Sequence, residues 1–218
     1  MINVVCVHTA MALVEPLTKT FAELLPEVNV NHIADSSLIK EVIANNAVTP
    51  AVRRRLLAYY NAAADAGADV VFNTCSSVGD VADYGDIYAR IPVFRIDRPM
   101  AAEAVMKADR IGVISTLPTT LDPTCRLLLG EAAKAGRKVE LVEGLADGAF
   151  AAGQSGDGAT HDRLIAEAAQ RIADRVDLFV LAQGSMARME QRLAELTGKP
   201  VLSSPVSGVL GLRKFLKL

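Results

Sequence analysis

One cysteine in this sequence stands among an amide and three hydroxyls, in Asn73-Thr74-Cys75-Ser76-Ser77. A thiol can carry a proton or attack as a nucleophile, but its ordinary pKa near 8.5 makes it a weak base at neutral pH. Positive charge or a helix N-terminus is needed to favour the thiolate. The residues before it, Ala68-Asp69-Val70-Val71-Phe72, enter this polar cluster without a charge from Val70 to Ser77, and Gly67 and Gly79 bound the stretch. Such a run reads as a strand buried on both faces. In parallel sheets ligands bind beyond the carboxyl ends of the strands, which is where Cys75 falls. A free cysteine is more often a buried structural residue, yet the polar company of Cys75 favours function. Cys6, between two valines, and Cys125, in a helical Thr-Cys-Arg-Leu context, read as structural.

Other groups suit the binding of an acid. Ser76, Ser77, Thr116, Thr119 and Thr120 offer hydroxyls near expected helix starts, where exposed amides also bind anions. Thr119 and Thr120 serve equally well as helix caps. Asn73 and Thr74 belong to the same cluster, and Asn73 could donate to an oxyanion developing in the transition state. His8 closes the first strand and could orient a ligand or act as a base. His161 sits at a helix start, where capping is expected, and His32 reads as a surface strand residue. The three histidines lack metal-ligand spacing, so no metal is predicted. No glycine-rich nucleotide motif is present, and no nucleotide or dinucleotide phosphate site is expected.

The elements that must position these residues follow from periodicity. Strands are expected at 4–7, 28–33, 68–74, 91–96, 111–116, 138–142, 178–182 and 200–202. Helices are expected over 10–25, 37–45, 50–66, 99–108, from 119 or 120 to 135, then 160–175, 186–196 and 205–216. Residues 146–159 carry glycine and small polar breaks and read as a loop or short helix. The alternation predicts an α/β fold with mostly parallel sheets. A repeat also emerges. Residues 68–75 align without gaps on 176–183, which sets Gln183 opposite Cys75, and strands ending in hydroxyls at His8-Thr9 and Ser115-Thr116 precede each copy. The expected organisation is two pseudo-twofold-related lobes, residues 1–97 with 203–218 and residues 98–202, with the site in the cleft between them.

Composition narrows the functional classes. Hydrophobic residues make up 51% of the 218 and charged residues 22%, with a formal net charge of -2. That balance is globular, and without a basic stripe nucleic acid is not an expected partner. No apolar run approaches the roughly 18 residues of a membrane span. The apolar start, residues 1–7, lacks a basic leader and reads as a strand rather than a signal. A soluble, cytoplasmic protein is expected. An odd number of cysteines without C-x-x-C spacing argues against a disulfide framework.

In order and spacing, Asn73-Thr74-Cys75-Ser76-Ser77, Ile96-Asp97-Arg98-Pro99-Met100, Gly112-Val113-Ile114-Ser115-Thr116 with Thr119-Thr120, and Leu181-Ala182-Gln183-Gly184-Ser185-Met186 resemble the aspartate/glutamate racemase superfamily. That superfamily includes hydantoin racemases, arylmalonate decarboxylases and maleate isomerases. The resemblance covers nearly the whole chain. It implies two lobes, no cofactor, a small carboxylic acid as substrate, a homodimer or higher homo-oligomer, and a catalytic residue at each of two equivalent strand ends. It places Gly184 and Ser185 with Ser76, Ser77 and the threonines among the substrate-binding positions. In the racemases both catalytic positions are cysteine. Here the second is Gln183, which has no titratable proton. It is left to donate a hydrogen bond or to fill the lost thiol's space. The resemblance implies an isomerase acting at the carbon alpha to a carboxylate, and a single cysteine fits a decarboxylase or cis-trans isomerase more readily than a two-thiol racemase. A small-acid binding protein without turnover is the remaining alternative.

Overall fold

The computed structural model describes residues 1–218, the side chain of Asp86 excepted. The chain divides into two compact units, one of Met1–Ile96 with Pro205–Leu218 and the other of Asp97–Ser204. Each is built on a four-stranded, wholly parallel sheet.

In the first unit the strand order is β2-β1-β3-β4, with β1 Ile2–His8, β2 Val28–Ala34, β3 Val70–Asn73 and β4 Val93–Arg95. The helices are α1 Val14–Leu24, α2 Ser36–Asn45, α3 Pro50–Asp65, α4 Gly79–Tyr88 and the returning C-terminal helix Ser204–Leu216. Successive strand side chains alternate faces. Val5, Val7 and Val71 therefore pack with Leu38, Val42, Val52, Leu56 and Tyr60 of α2 and α3. Val4, Cys6, Val70 and Phe72 pack on the other face with Leu17 and Phe21 of α1 and with Val209 and Leu212 of the C-terminal helix. Both faces being covered explains the unbroken apolar runs of β1 and β3. Thr49 caps α3, accepting from the Val52 amide, with Pro50 at the first helical position.

The second unit has strand order β6-β5-β7-β8, with β5 Arg110–Ser115, β6 Glu140–Leu145, β7 Leu178–Leu181 and β8 Val201–Leu202. Helices α5 Arg98–Lys107 and α6 Pro118–Lys134 pack on Ile111, Val113, Leu178 and Val180. Helices α7 Ala149–Gln154, α8 Gly158–Ile172 and α9 Glu190–Thr197 cover Ile114, Val142, Phe179 and Leu181. The C-terminal helix of the first unit is then α10.

The repeat read from the sequence has a hydrogen-bonding cause. The Asn3 amide donates to the Asp69 carboxylate at 2.7 Å, and the Arg110 amide to the Asp177 carboxylate at 3.1 Å. The Asp69 and Asp177 amides return bonds to the carbonyls of Asn3 and Arg110, each at 2.8 Å. The aligned aspartates thus open each central strand pair alike. Further along, Val71 and Phe179 donate to the carbonyls of Pro92 and Pro200, both at 2.9 Å. At the carboxyl ends Thr74 donates to Val7 and Ala182 to Ile114.

Two boundaries differ from the sequence reading and a third is narrowed by the structure. Strand β6 runs over Glu140–Leu145, later than 138–142, because Gly144 lets the strand lie against Ile114, which a Cβ would approach to 2.5 Å. Of the two readings for 146–159, the short helix is the one observed: α7 spans Ala149–Gln154, with Gly148 (φ 79) before it and Gly156 (φ 84) after it, both in left-handed backbone. Helix α6 starts at Pro118 with Leu117 at its N-cap, so Thr119 and Thr120 lie in its first turn and neither is the cap. Among the described residues no helix is long and apolar enough to cross a membrane.

Candidate active site

The carboxyl ends of β1 and β3 bring His8, Thr9, Asn73, Thr74 and Cys75 together. Cys75 has extended backbone and stands immediately before a 3-10 turn, Ser76–Val78, which leads into α4. It is only partly buried, whereas Thr9, Asn73, Thr74, Ser76 and Ser77 are buried. Burial pushes the Cys75 thiol above its ordinary value. The Thr9 hydroxyl, the Ser77 and Val78 amides and the Ser77 hydroxyl oppose this by hydrogen bonding to the sulfur. The thiol is therefore the resting form, and four donors stand ready for a thiolate.

The side chains beside Cys75 are held from within the unit. Asn73 accepts from the Tyr60 hydroxyl at 3.1 Å and donates one amide hydrogen to the Cys75 carbonyl at 3.1 Å. The Thr74 hydroxyl donates to the Val7 carbonyl at 3.1 Å and lies 3.0 Å from His8 Nδ1. His8 is buried, with its Nε2 2.9 Å from His32 Nδ1. His32 is half-buried against it rather than a plain surface residue. Arg95 is buried and donates to Asp83 at 2.7 Å. A side chain on Gly79, at the start of α4, would collide with the Arg95 guanidinium, so glycine there admits the arginine.

Tyr60→Phe removes the hydroxyl that Asn73 Oδ1 accepts from inside the core while keeping the ring. Urea unfolding should show a loss of about 1–2 kcal/mol. An unchanged unfolding free energy would mean that the bond contributes nothing.

The second unit repeats this arrangement with different chemistry. Gln183 Nε2 donates to the Thr116 hydroxyl at 2.6 Å, and Gln183 Oε1 accepts from the Thr116 amide at 2.8 Å and from the Ser115 hydroxyl at 3.3 Å. The pair Thr116–Gln183 thus matches Thr9–Cys75. The glutamine amide oxygen and one of its two N–H groups are thus engaged within its own unit. Gly184 is buried and Ser185 exposed at the start of the following 3-10 turn, Gly184–Met189. Thr120 is buried. Thr119 Oγ1 is shielded from solvent without a hydrogen-bond partner. His161 does not cap α8, a role filled by Asp157. It bonds Asp162 at 2.8 Å, and Arg188 of the turn after Gln183 donates to the same carboxylate at 2.6 Å.

Thr9 is the residue that sequence reasoning passed over as a ligand of Cys75. The signal was present, since the repeat already set Thr9 opposite Thr116. Cys125 packs in the core of the second unit and Cys6 in that of the first.

The model of the Asp/Glu/Hydantoin racemase family matches residues 2–210, and the chain belongs to that family. Among solved structures, allantoin racemase from Klebsiella pneumoniae is similar at 19% identity and a TM-score of 0.74, over 100% of this chain and 88% of that one. Glutamate racemase from Francisella tularensis subsp. tularensis SCHU S4, in complex with D-glutamate, gives 13% and 0.78 over 99% and 81%. Unliganded arylmalonate decarboxylase gives 13% and 0.57 over 98% and 92%. These likenesses bear on the fold. No curated protein matches.

Proposed function

We propose that this chain is a cofactor-independent enzyme that moves a proton at the carbon alpha to the carboxylate of a small acid, with Cys75 as the proton carrier. The observation that supports this most is the set of donors on Cys75, namely the Thr9 and Ser77 hydroxyls and the Ser77 and Val78 amides. A structural thiol has no need of four groups that favour its anion. Ser76 and Ser77 are the proposed partners of substrate oxygens beside it. In the second unit the shielded, unpartnered Thr119 hydroxyl is a further candidate for an acid's oxygen.

Family membership points to an isomerase of the racemase kind. A lyase reading is favoured by one feature, Gln183 in place of a second thiol, its amide oxygen and one N–H bonded to Thr116. In that reading loss of carbon dioxide leaves an enediolate. The Cys75 S–H bond breaks, its proton joins the alpha carbon, and the thiolate left behind is held by its four donors until water reprotonates it. The raised thiol pKa suits this order of events, since a donor must start protonated.

Incubation with a panel of amino, hydroxy and malonic acids in heavy water separates the readings. Deuterium entry at the alpha carbon with inversion supports an isomerase, and carbon dioxide release with deuterium entry supports the lyase. Tight binding of an acid without either product would leave a binding protein and overturn the proposal.

A further inference from the structure

Outside the Cys75 cluster, the sheet of the first unit assembles three soft ligands that linear spacing did not reveal. Cys6 pairs with His32 across the parallel β1–β2 register, and His8 follows two residues after Cys6 on the same face. One ligand atom from each residue lies within 4.8 Å of the other two. Cys6 and His8 are buried and His32 is half-buried.

Hydrogen-bond accounting gives a second, independent reason to look here. The Thr18 hydroxyl donates to the Val14 carbonyl at 2.8 Å, and the Thr74 hydroxyl donates to the Val7 carbonyl at 3.1 Å. Each hydroxyl has one hydrogen, and a hydroxyl that donates to its carbonyl accepts from the ring. With the hydroxyl hydrogens on the carbonyls, His32 Nε2, 3.0 Å from Thr18, and His8 Nδ1, 3.0 Å from Thr74, both carry N–H. In the neutral rings this leaves bare lone pairs on His8 Nε2 and His32 Nδ1, facing each other at 2.9 Å. Two acceptors at that distance repel unless something positive lies beside both. The outer N–H bonds are also the arrangement that orients metal-bound imidazoles, with each ligating ring donating its other nitrogen to a nearby oxygen.

We propose that Cys6 Sγ, His8 Nε2 and His32 Nδ1 form a binding site for a thiophilic divalent cation of the zinc type. Zinc takes thiolate at about 2.3 Å and imidazole at about 2.0–2.1 Å, so small side-chain rotations close the cluster around an ion. Binding ionises the Cys6 thiol and releases its proton. The ion ties the edge strand β2 to β1 and holds His8 against Thr74, next to Cys75. The site is separate from the proposed thiol chemistry and does not depend on it.

The test uses the full chain, stripped with a chelator and titrated with Co2+ as a spectroscopic probe, followed by competition with Zn2+. In Cys75→Ser/Cys125→Ser only Cys6 remains as a thiol. A thiolate-to-cobalt charge-transfer band with four-coordinate visible bands, displaced by Zn2+, is the expected result. His32→Gln should weaken Co2+ binding at least tenfold, and Thr18→Val, which touches only the outer nitrogen of His32, by about tenfold. Absence of the band in the folded double variant, or an undiminished band in His32→Gln, overturns the site. Should the double variant not fold, zinc-edge X-ray absorption of the wild-type protein decides. One sulfur with two imidazole nitrogens supports the site, and a shell without sulfur overturns it.

Discussion

Cys75→Ala should lower turnover by about a thousandfold, within the range attached to a positioned acid or base, while leaving acid binding measurable. The reasoning is local. Alanine removes the sulfur but none of its donors, since Thr9, Ser77 and Val78 are held by β1 and by the turn entering α4. Calorimetric binding of a slow substrate or product should therefore survive while product formation is lost. The pH profile of the wild-type enzyme carries a sign that separates donor from base. The folded thiol has its pKa raised above the ordinary value, with burial as the leading cause. If Cys75 donates its proton, kcat/KM is flat below that region and falls as pH rises through the folded pKa. If the thiolate removes a proton first, the same limb rises. The lyase reading expects the fall. Turnover unchanged in Cys75→Ala would remove Cys75 from the chemistry.

Gly208→Ala and Gly130→Ala should move stability in opposite directions, although both place a methyl group in a helix interior. On α10, a Cβ at Gly208 would come within 2.6 Å of the Ile96 carbonyl oxygen and 3.2 Å of the Phe72 ring. Backbone cannot yield as a flexible side chain can. The helix must back away from β3, loosening Val209 and Leu212 in the core they share with Phe72. A loss of about 2–3 kcal/mol is expected from this overpacking. Gly130 of α6 is exposed with nothing within 4 Å of the added atom. Alanine there should gain about 0.5–1 kcal/mol by reducing the freedom of the unfolded chain. Denaturant unfolding of both variants checks the pair. A gain at Gly208 would show that α10 packs less closely on the sheet than the structure has it.

What could be read from the sequence was whatever depends on short-range pattern. The apolar runs of β1, β3, β5 and β7 were legible because these strands are covered on both faces. Thr49-Pro50 announced α3 because capping is local chemistry. The repeat was legible because Asp69 and Asp177 perform the same strand-opening bond in each unit. Elsewhere the deciding partner was distant in sequence. His32 looked like a surface residue because its partner His8 is set by the β1–β2 register, which no local spacing encodes. The late start of β6 depends on Glu140 donating to Asp109. Loop and short helix could not be told apart over 146–159 because a left-handed flank and an interruption are written with the same residue. At the candidate site the position of Cys75 was legible. The Tyr60–Asn73 bond and Arg95 seated against Gly79 were not, since each depends on how α3, β3, β4 and α4 pack.

The measurement closest to the central claim is deuterium entry at the alpha carbon of a turned-over acid, followed by NMR in heavy water for the wild type, Cys75→Ala and Gln183→Ala in parallel. A lone-thiol proton carrier predicts labelled product from the wild type, none above background from Cys75→Ala, and retained labelling in Gln183→Ala. Equal labelling by the wild type and Cys75→Ala, or its loss only when Gln183 is replaced, would contradict the assignment of Cys75.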